Sequence, residues 1–386
     1  MATPKIITKN DINKLEETVN IRKKEFFTDS YPMSIGEISS IYREGELSLN
    51  PDFQRLFRWS IKQQSELIES ILLGVPLPSI FVFQNDQGVW EVVDGMQRLS
   101  TIFAFMGILK EKDLPPHPIG EEGEETNLIV PSKLIGTDNI PELEAITWAD
   151  LPTTIQLSIK RGKLDIKIIK DTSHRDAKYE VFQRLNRGGS LLSAQEFRNS
   201  LMSMINKHFF KWLTELCKYA NYQTCINLSE RLLMEQYDME LALRLFILDE
   251  YEYQPKNTLS EFLDSKMKEI CNPSNDFNFQ EAERKFKCTF DILEKIQGEN
   301  VFKKERKGKF MESYFEAIAI GLYANIENYK EDSSQYLSLL EQRIAEIEKH
   351  DDFTNYRGAG VGSSKRIPNV IKFGKNYFRK NAETQD

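Results

Sequence analysis

Val89-Trp90-Glu91-Val92-Val93-Asp94-Gly95-Met96-Gln97-Arg98-Leu99-Ser100-Thr101-Ile102-Phe103 changes its period at Asp94. Val89 to Val93 is a short run rich in strand-forming residues. After it, Leu99, Ile102, Phe103 and Met106 recur at i, i+3, i+4 and i+7, the spacing of a helix with one buried face. The pattern predicts a strand that turns into a helix at Asp94-Gly95. A helix N-terminus leaves its first N–H groups unpaired and carries partial positive charge, so the corner suits an anion. Gly95 permits close backbone approach, and Arg98 offers a planar, charged fork to phosphate oxygens. Asp94 can hold Mg²⁺ or orient Arg98, and Gln97 can place a water or a ribose hydroxyl. The corner reads as a nucleotide-phosphate or nucleic-acid-phosphate site. The plainer alternative is a solvated turn with an internal Asp–Arg pair, since short motifs recur by chance.

Upstream, Ile80 to Phe83 is a second strand, and Asn85-Asp86-Gln87-Gly88 turns it into a hairpin. Before that, Ser60 and Gln63 form a capping box. Ile61, Leu67, Ile68, Ile71 and Leu72 share one face of the helix it opens, and Gly74, Pro76 and Pro78 stop it. Asn50-Pro51 marks a turn or an extended entry, and residues 1–30 read as a polar arm with room for a short helix. Downstream, residues 113–150 read as an irregular insertion with an acidic run, Glu121 to Glu125. Asp165 to Ile169 is a further strand. Arg175 to Leu185 is a helix ended by Asn186-Arg187-Gly188-Gly189, and Ser193 with Glu196 opens another through about Trp212. Beyond residue 205 strand patterns vanish, and helical ones occupy 229–250, 258–271, 277–297, 310–328 and 333–348. The expected fold is α+β: an arm (1–30), a domain with a small mixed sheet (31–205), and an all-helical domain (206–386).

Composition agrees with a globular chain of about two domains. Its 386 residues are 40% hydrophobic and 28% charged, with net charge −8, so any nucleic-acid contact must come from a local patch. Cys217, Cys225, Cys271 and Cys288 lack CxxC spacing and read as free thiols. Residues 1–20 contain no apolar leader, and no apolar run reaches 18 residues. The expected compartment is the cytoplasm.

Four other pieces carry chemistry. Gln54-Arg55 lies among Phe53, Phe57 and Trp59, which suits phosphate or base contact, or a strand edge with snorkelling arginines. Phe182-Gln183-Arg184-Leu185-Asn186 with Gly188-Gly189 is, alone, an ordinary helix C-cap. Two basic clusters, Lys303 to Lys309 and Lys365, Arg366, Lys372, Lys375, Arg379 and Lys380, can track a DNA backbone or be a solvated loop and helix end.

In this order and spacing, five segments resemble the N-terminal domain family of the GmrSD type IV restriction endonucleases, a distant relative of the ParB and sulfiredoxin fold. They are Pro51-Asp52-Phe53-Gln54-Arg55, Trp59, Leu72 to Pro78, Asp94 to Thr101, and Phe182 to Asn186. The resemblance is dense over about residues 31–205. It implies a nucleotide-binding, often nucleotide-hydrolysing, domain in defence against foreign DNA, and the expected ligand is a nucleoside triphosphate (ATP, GTP or CTP) with Mg²⁺. It points to Asp94, Gln97 and Arg98 as catalytic residues, with Asp94 on the metal. Gln54, Arg55, Gly95, Ser100, Thr101, Asn186 and Arg187 would contact the nucleotide. The family usually carries Gln where this chain has Met96, so one amide is absent. The chain's four histidines show no His-Asn-His spacing, so no HNH nuclease is expected here.

Three functions follow. The first is a nucleotide-driven switch or triphosphatase. The second is a DNA-sensing subunit, with Lys365, Arg366 and Lys372 as contacts, that works with a separate nuclease and can be a homodimer. The third is cleavage by the ParB-like domain itself, which lacks a visible metal cluster or base.

Overall fold

The computed structural model describes residues 9–25, 28–49, 59–85, 87–110, 133–170, 193–304, 308–329, 334–358 and 360–379. Gln54, Arg55, Asn186, Arg187, the expected helix 175–185 and Arg306-Lys307 lie outside them. The chain divides into two compact units, Met1–Leu191 and Leu192–Asp386.

The first unit is built on a five-stranded mixed sheet of order β1-β5-β3-β4-β2, where β1 is Thr28–Ser34, β2 Leu47–Ser48, β3 Ile80–Gln84, β4 Trp90–Asp94 and β5 Lys163–Lys170. The β3–β4 hairpin is the one predicted from the two short runs and the Asn85-Asp86-Gln87-Gly88 turn. Asn85 Oδ1 accepts from the Gln87 and Val89 amides, each at 3.0 Å, and so closes the turn. β5 runs parallel to β3 with Ile80 opposite Ile166, and β1 runs antiparallel to β5 with Ser30 opposite Lys167. The hairpin register shifts between Phe81 and Val82, so Asp94 stands opposite Phe81.

The helices of this unit are α1 (Lys9–Glu25), α2 (Ile35–Glu44), α3 (Ile61–Leu73), α4 (Met96–Phe105) and α5 (Thr153–Arg161). The Ser60/Gln63 box starts α3 as expected, and Gly74, at φ +70°, ends it in the left-handed region. Ile80, Val82, Val92, Leu164, Ile166 and Ile168 meet Ile38 and Tyr42 of α2, Leu67 and Ile68 of α3, and Leu99, Ile102 and Phe103 of α4 in one core. Tyr42 stacks on Phe103 at 4.4 Å between ring centroids. Ile61, expected on the buried face of α3, is instead exposed at its first turn. Part of the presumed insertion is also anchored. The buried Glu69 carboxylate of α3 accepts from Asn139 N, Asn139 Nδ2 and Ile140 N at 2.7–2.8 Å.

The described residues of the second unit form helices and turns: α6 (Ala194–Ile205), α7 (Lys207–Cys217), α8 (Ala220–Ile226), α9 (Glu230–Met234), α10 (Tyr237–Glu250), α11 (Leu259–Ile270), α12 (Phe279–Gln297), α13 (Glu312–Tyr314), a π turn Phe315–Ala319, α14 (Ile320–Asn325), α15 (Ser334–Glu346), α16 (Asp351–Thr354) and α17 (Ser363–Tyr377). The expected helix through Trp212 is two helices. Asn206 leaves helical geometry, at φ −151°, and its side chain caps α7 by accepting from Phe209 N. The expected helix 229–250 also breaks, at Gln236, where φ is +57°. The division between units falls before α6 rather than after it, because α6 packs on α7 and α11 and sends Arg198 into the charged interior of this unit.

Within an otherwise apolar interior lies an ionic network. Arg198 (α6) binds Asp264 at 2.8 Å and Glu240 at 3.0 Å, and Arg244 (α10) binds Glu240 at 2.6 Å and Glu316 at 3.1 Å. Arg366 of α17 binds Glu316 at 2.9 Å and also Glu312. α17 reaches this network because it crosses Ala317 and Gly321 at Gly374, an approach so close that a Cβ on either glycine would strike backbone.

Candidate functional site

The corner predicted at Asp94 exists. β4 ends at Asp94, Gly95 takes φ +96°, and α4 begins at Met96. Gly95 supplies no side-chain cap to α4. A Cβ there would run into Ile80 Cδ1, so glycine is required both by its backbone angle and by the hairpin behind it.

Asp94 Oδ2 pairs with Arg98 Nη2 at 3.1 Å, one turn along α4. The internal Asp–Arg pair is therefore present. The Arg98 guanidinium does more than pair: Nη1 donates to Pro78 O, and Nη2 also donates to Ser79 O at 3.3 Å. Its side chain is 11% exposed, while that of Asp94 is 40% exposed. Burial pulls the Arg98 pKa down and the Asp94 carboxylate opposes that, and a guanidinium keeps its proton in proteins. Arg98 thus fixes the start of β3 and aims Asp94. A phosphate would have to displace these carbonyls to occupy the whole fork.

The network continues through residues that the sequence reading missed. Ser79 Oγ donates to Asp165 Oδ2 at 2.7 Å, and Ser30 Oγ donates to Asp165 Oδ1 at 2.8 Å. Lys167 Nζ lies 3.2 Å from Asp165 Oδ2 and donates to Ser30 Oγ at 3.1 Å. The Ser79 hydroxyl, then the Ser30 hydroxyl, hold the Asp165 carboxyl below its usual range. A polar chain, Asp94–Arg98–Ser79–Asp165–Lys167, crosses the end of the sheet where β4 stops and β3 and β5 start. The alternation Lys163-Leu164-Asp165-Ile166-Lys167-Ile168 was the available signal, since it puts Asp165 and Lys167 on the face opposite the core.

Residues 35–203 match the family model described as GmrSD restriction endonuclease, N-terminal domain. The chain carries a GmrSD N-terminal domain. No curated protein matches it. The match spans the whole polar chain except Ser30, and ties the protein to restriction-type defence systems.

Within this GmrSD domain the other expected contacts fall unevenly. Gln97 is half-buried on the first turn of α4. Ser100 is fully buried, and its hydroxyl donates back to Met96 O at 2.8 Å, so it points along its own helix rather than into an opening. Thr101 is also buried, and its hydroxyl makes no hydrogen bond. Met96, where the family usually has Gln, is 1% exposed and belongs to the core. In the second unit Lys365 and Lys372 are exposed on α17, whereas Arg366 is committed to Glu312 and Glu316. Of the four thiols, Cys217, Cys225 and Cys271 are buried, and burial raises each of their pKa values. No described helix is long and apolar enough to cross a membrane.

Proposed function

We propose that the first unit binds a nucleoside triphosphate with Mg²⁺ at the Asp94–Arg98 corner, and that occupancy or hydrolysis there controls the helical unit of a restriction-type defence protein. One observation carries this reading: an uncapped helix N-terminus stands beside a half-exposed carboxylate whose direction is fixed by a buried arginine. The helix start supplies N–H groups and partial positive charge for phosphate oxygens. Asp94 fits Mg²⁺, which is ordinarily bound by one or two carboxylates together with the phosphates themselves. Asp94, 40% exposed beside the start of α4, offers one such carboxylate. When bound, Mg²⁺ would neutralise charge on the phosphates. Gly95 lets the chain approach them, and Gln97 places a water or a ribose hydroxyl. Arg98 acts by holding Asp94. The phosphate-clamping part assigned to arginine passes to Arg55, with Gln54, Asn186 and Arg187 as the remaining contacts implied by the family.

Calorimetric titration of the purified protein with ATP, GTP and CTP, with and without Mg²⁺, tests this. Binding of one of them with Mg²⁺, lost in Asp94→Asn while the variant still folds cooperatively, is expected. No binding of any nucleotide, or binding indifferent to Asp94→Asn and Arg55→Ala, would sink the reading.

A second reading, a DNA-sensing subunit served by a separate nuclease, is favoured by one feature. α17 carries no Asp or Glu and exposes Lys365 and Lys372, in a chain of net charge −8. Salt-dependent duplex binding that falls in the Lys365→Ala/Lys372→Ala variant and survives Asp94→Asn would support it.

A further inference from the structure

The register carries one row of side chains straight across the sheet. Ser30 of β1 stands opposite Lys167 of β5, Lys167 opposite Phe81 of β3, and Phe81 opposite Asp94 of β4. Ile80, Val82, Leu164, Ile166 and Ile168 alternate with this row and fill the core, so the row lies on the other face. That face is covered at one end, where Phe83 and Ile169, opposite each other, are buried outside the main core. It opens at the row: Phe81 is half-buried, and the Asp94, Asp165 and Lys167 side chains are 40%, 38% and 34% exposed. Two strand spacings, roughly 10 Å, separate the Lys167 backbone from that of Asp94.

We propose that Lys167 is the mobile cation of the nucleotide site: its ammonium leaves Asp165 and Ser30 to take the terminal phosphate of a nucleoside triphosphate whose phosphate chain meets Asp94 and the start of α4. This rests on the function proposed above and adds the group that reads phosphate number. Two properties single out Lys167. Arg98, the other cation of the network, is tied to two backbone carbonyls, and removing it would strand them. Lys167 is held by exposed partners on a flexible stem and is released at little cost. Its departure also leaves no bare carboxylate, because Asp165 keeps the hydroxyls of Ser79 and Ser30. Phe81, between Lys167 and Asp94, gives an apolar floor that excludes water from one side of the bound phosphate.

The test measures affinity for nucleoside tri-, di- and monophosphates of the base that binds best, with Mg²⁺, in wild type, Lys167→Gln and Lys167→Arg. A charge-assisted contact predicts that Lys167→Gln weakens the triphosphate about tenfold to a hundredfold. The monophosphate should be unchanged and Lys167→Arg should recover part of the loss. Inorganic tripolyphosphate with Mg²⁺ should lose affinity in parallel, and melting temperatures should stay within a degree or two of wild type. Equal weakening of all three nucleotides, or none, overturns the role of Lys167 while leaving the corner intact. Wild-type protein that binds no nucleotide overturns the underlying reading instead, and this proposal with it.

Discussion

At the scale of the residue, Gly95 and Arg98 have structural tasks that any functional experiment must separate. Gly95 sits at φ +96° against Ile80, so Gly95→Ala adds both backbone strain and a clash. The expected loss of stability is about 1–3 kcal/mol, read by urea denaturation. Ile80→Val removes the clashing Cδ1, so Gly95→Ala should cost less in that background, and an unchanged cost would place the whole penalty in φ. Arg98→Ala leaves the Pro78 and Ser79 carbonyls without their donor and should cost ~2–3 kcal/mol. Loss of ligand binding in that variant alone therefore says little, whereas Asp94→Asn keeps the shape and removes the charge.

Elements were legible where their signals are local. The capping boxes at Ser60 and Ser193, the Gly74 stop and the turn of the β3–β4 hairpin all depend on residues within four positions of one another, and all are present. β1, α2 and α5 were not read. β1 is an edge strand held by pairing with β5 far along the chain, as between Ser30 and Lys167, 137 residues apart. The Arg98 acceptors come from 19 and 20 residues upstream, so its direction was invisible to a motif that sees only Asp94 four residues back. The loop around Asn139 belongs to the same class, being held by Glu69 from 70 residues away. The Asn139 side chain, with the Ile140 and Asn139 amides, holds the Glu69 carboxyl below its usual range against the raising effect of burial. Its contribution to stability is then fully present above the ordinary glutamate pKa and is lost as pH falls through the lowered folded value. Hydrogen exchange at Asn139 and Ile140 should accelerate, relative to the core strands, on acidification through that window. In Glu69→Gln it should be fast at every pH, and equal protection in the variant would refute the charge-based clamp.

For the whole molecule, both units bury an apolar core, and the second also buries an ionic network that decides how α17 can be probed. The first unit has an apolar core under its sheet. The second ties α6, α10, α11, α17 and the helices around the π turn through Arg198, Arg244 and Arg366, set against Glu240, Asp264, Glu312 and Glu316. Breaking one member of such a buried set leaves an uncompensated charge and costs about 3–5 kcal/mol. Glu316 is fully buried, so Arg366→Ala should lower the melting transition of the helical unit and leave that of the GmrSD domain in place, visible as two separated peaks by calorimetry. Lys365→Ala and Lys372→Ala, on the exposed side of the same helix, should shift neither peak. Arg366, grouped by sequence with the DNA contacts, would thus reduce DNA binding only through unfolding. Duplex affinity measured well below the first transition should track Lys365 and Lys372 alone, and a direct loss with Arg366→Ala in a fully folded sample would show that the guanidinium leaves Glu316 to meet the phosphate backbone.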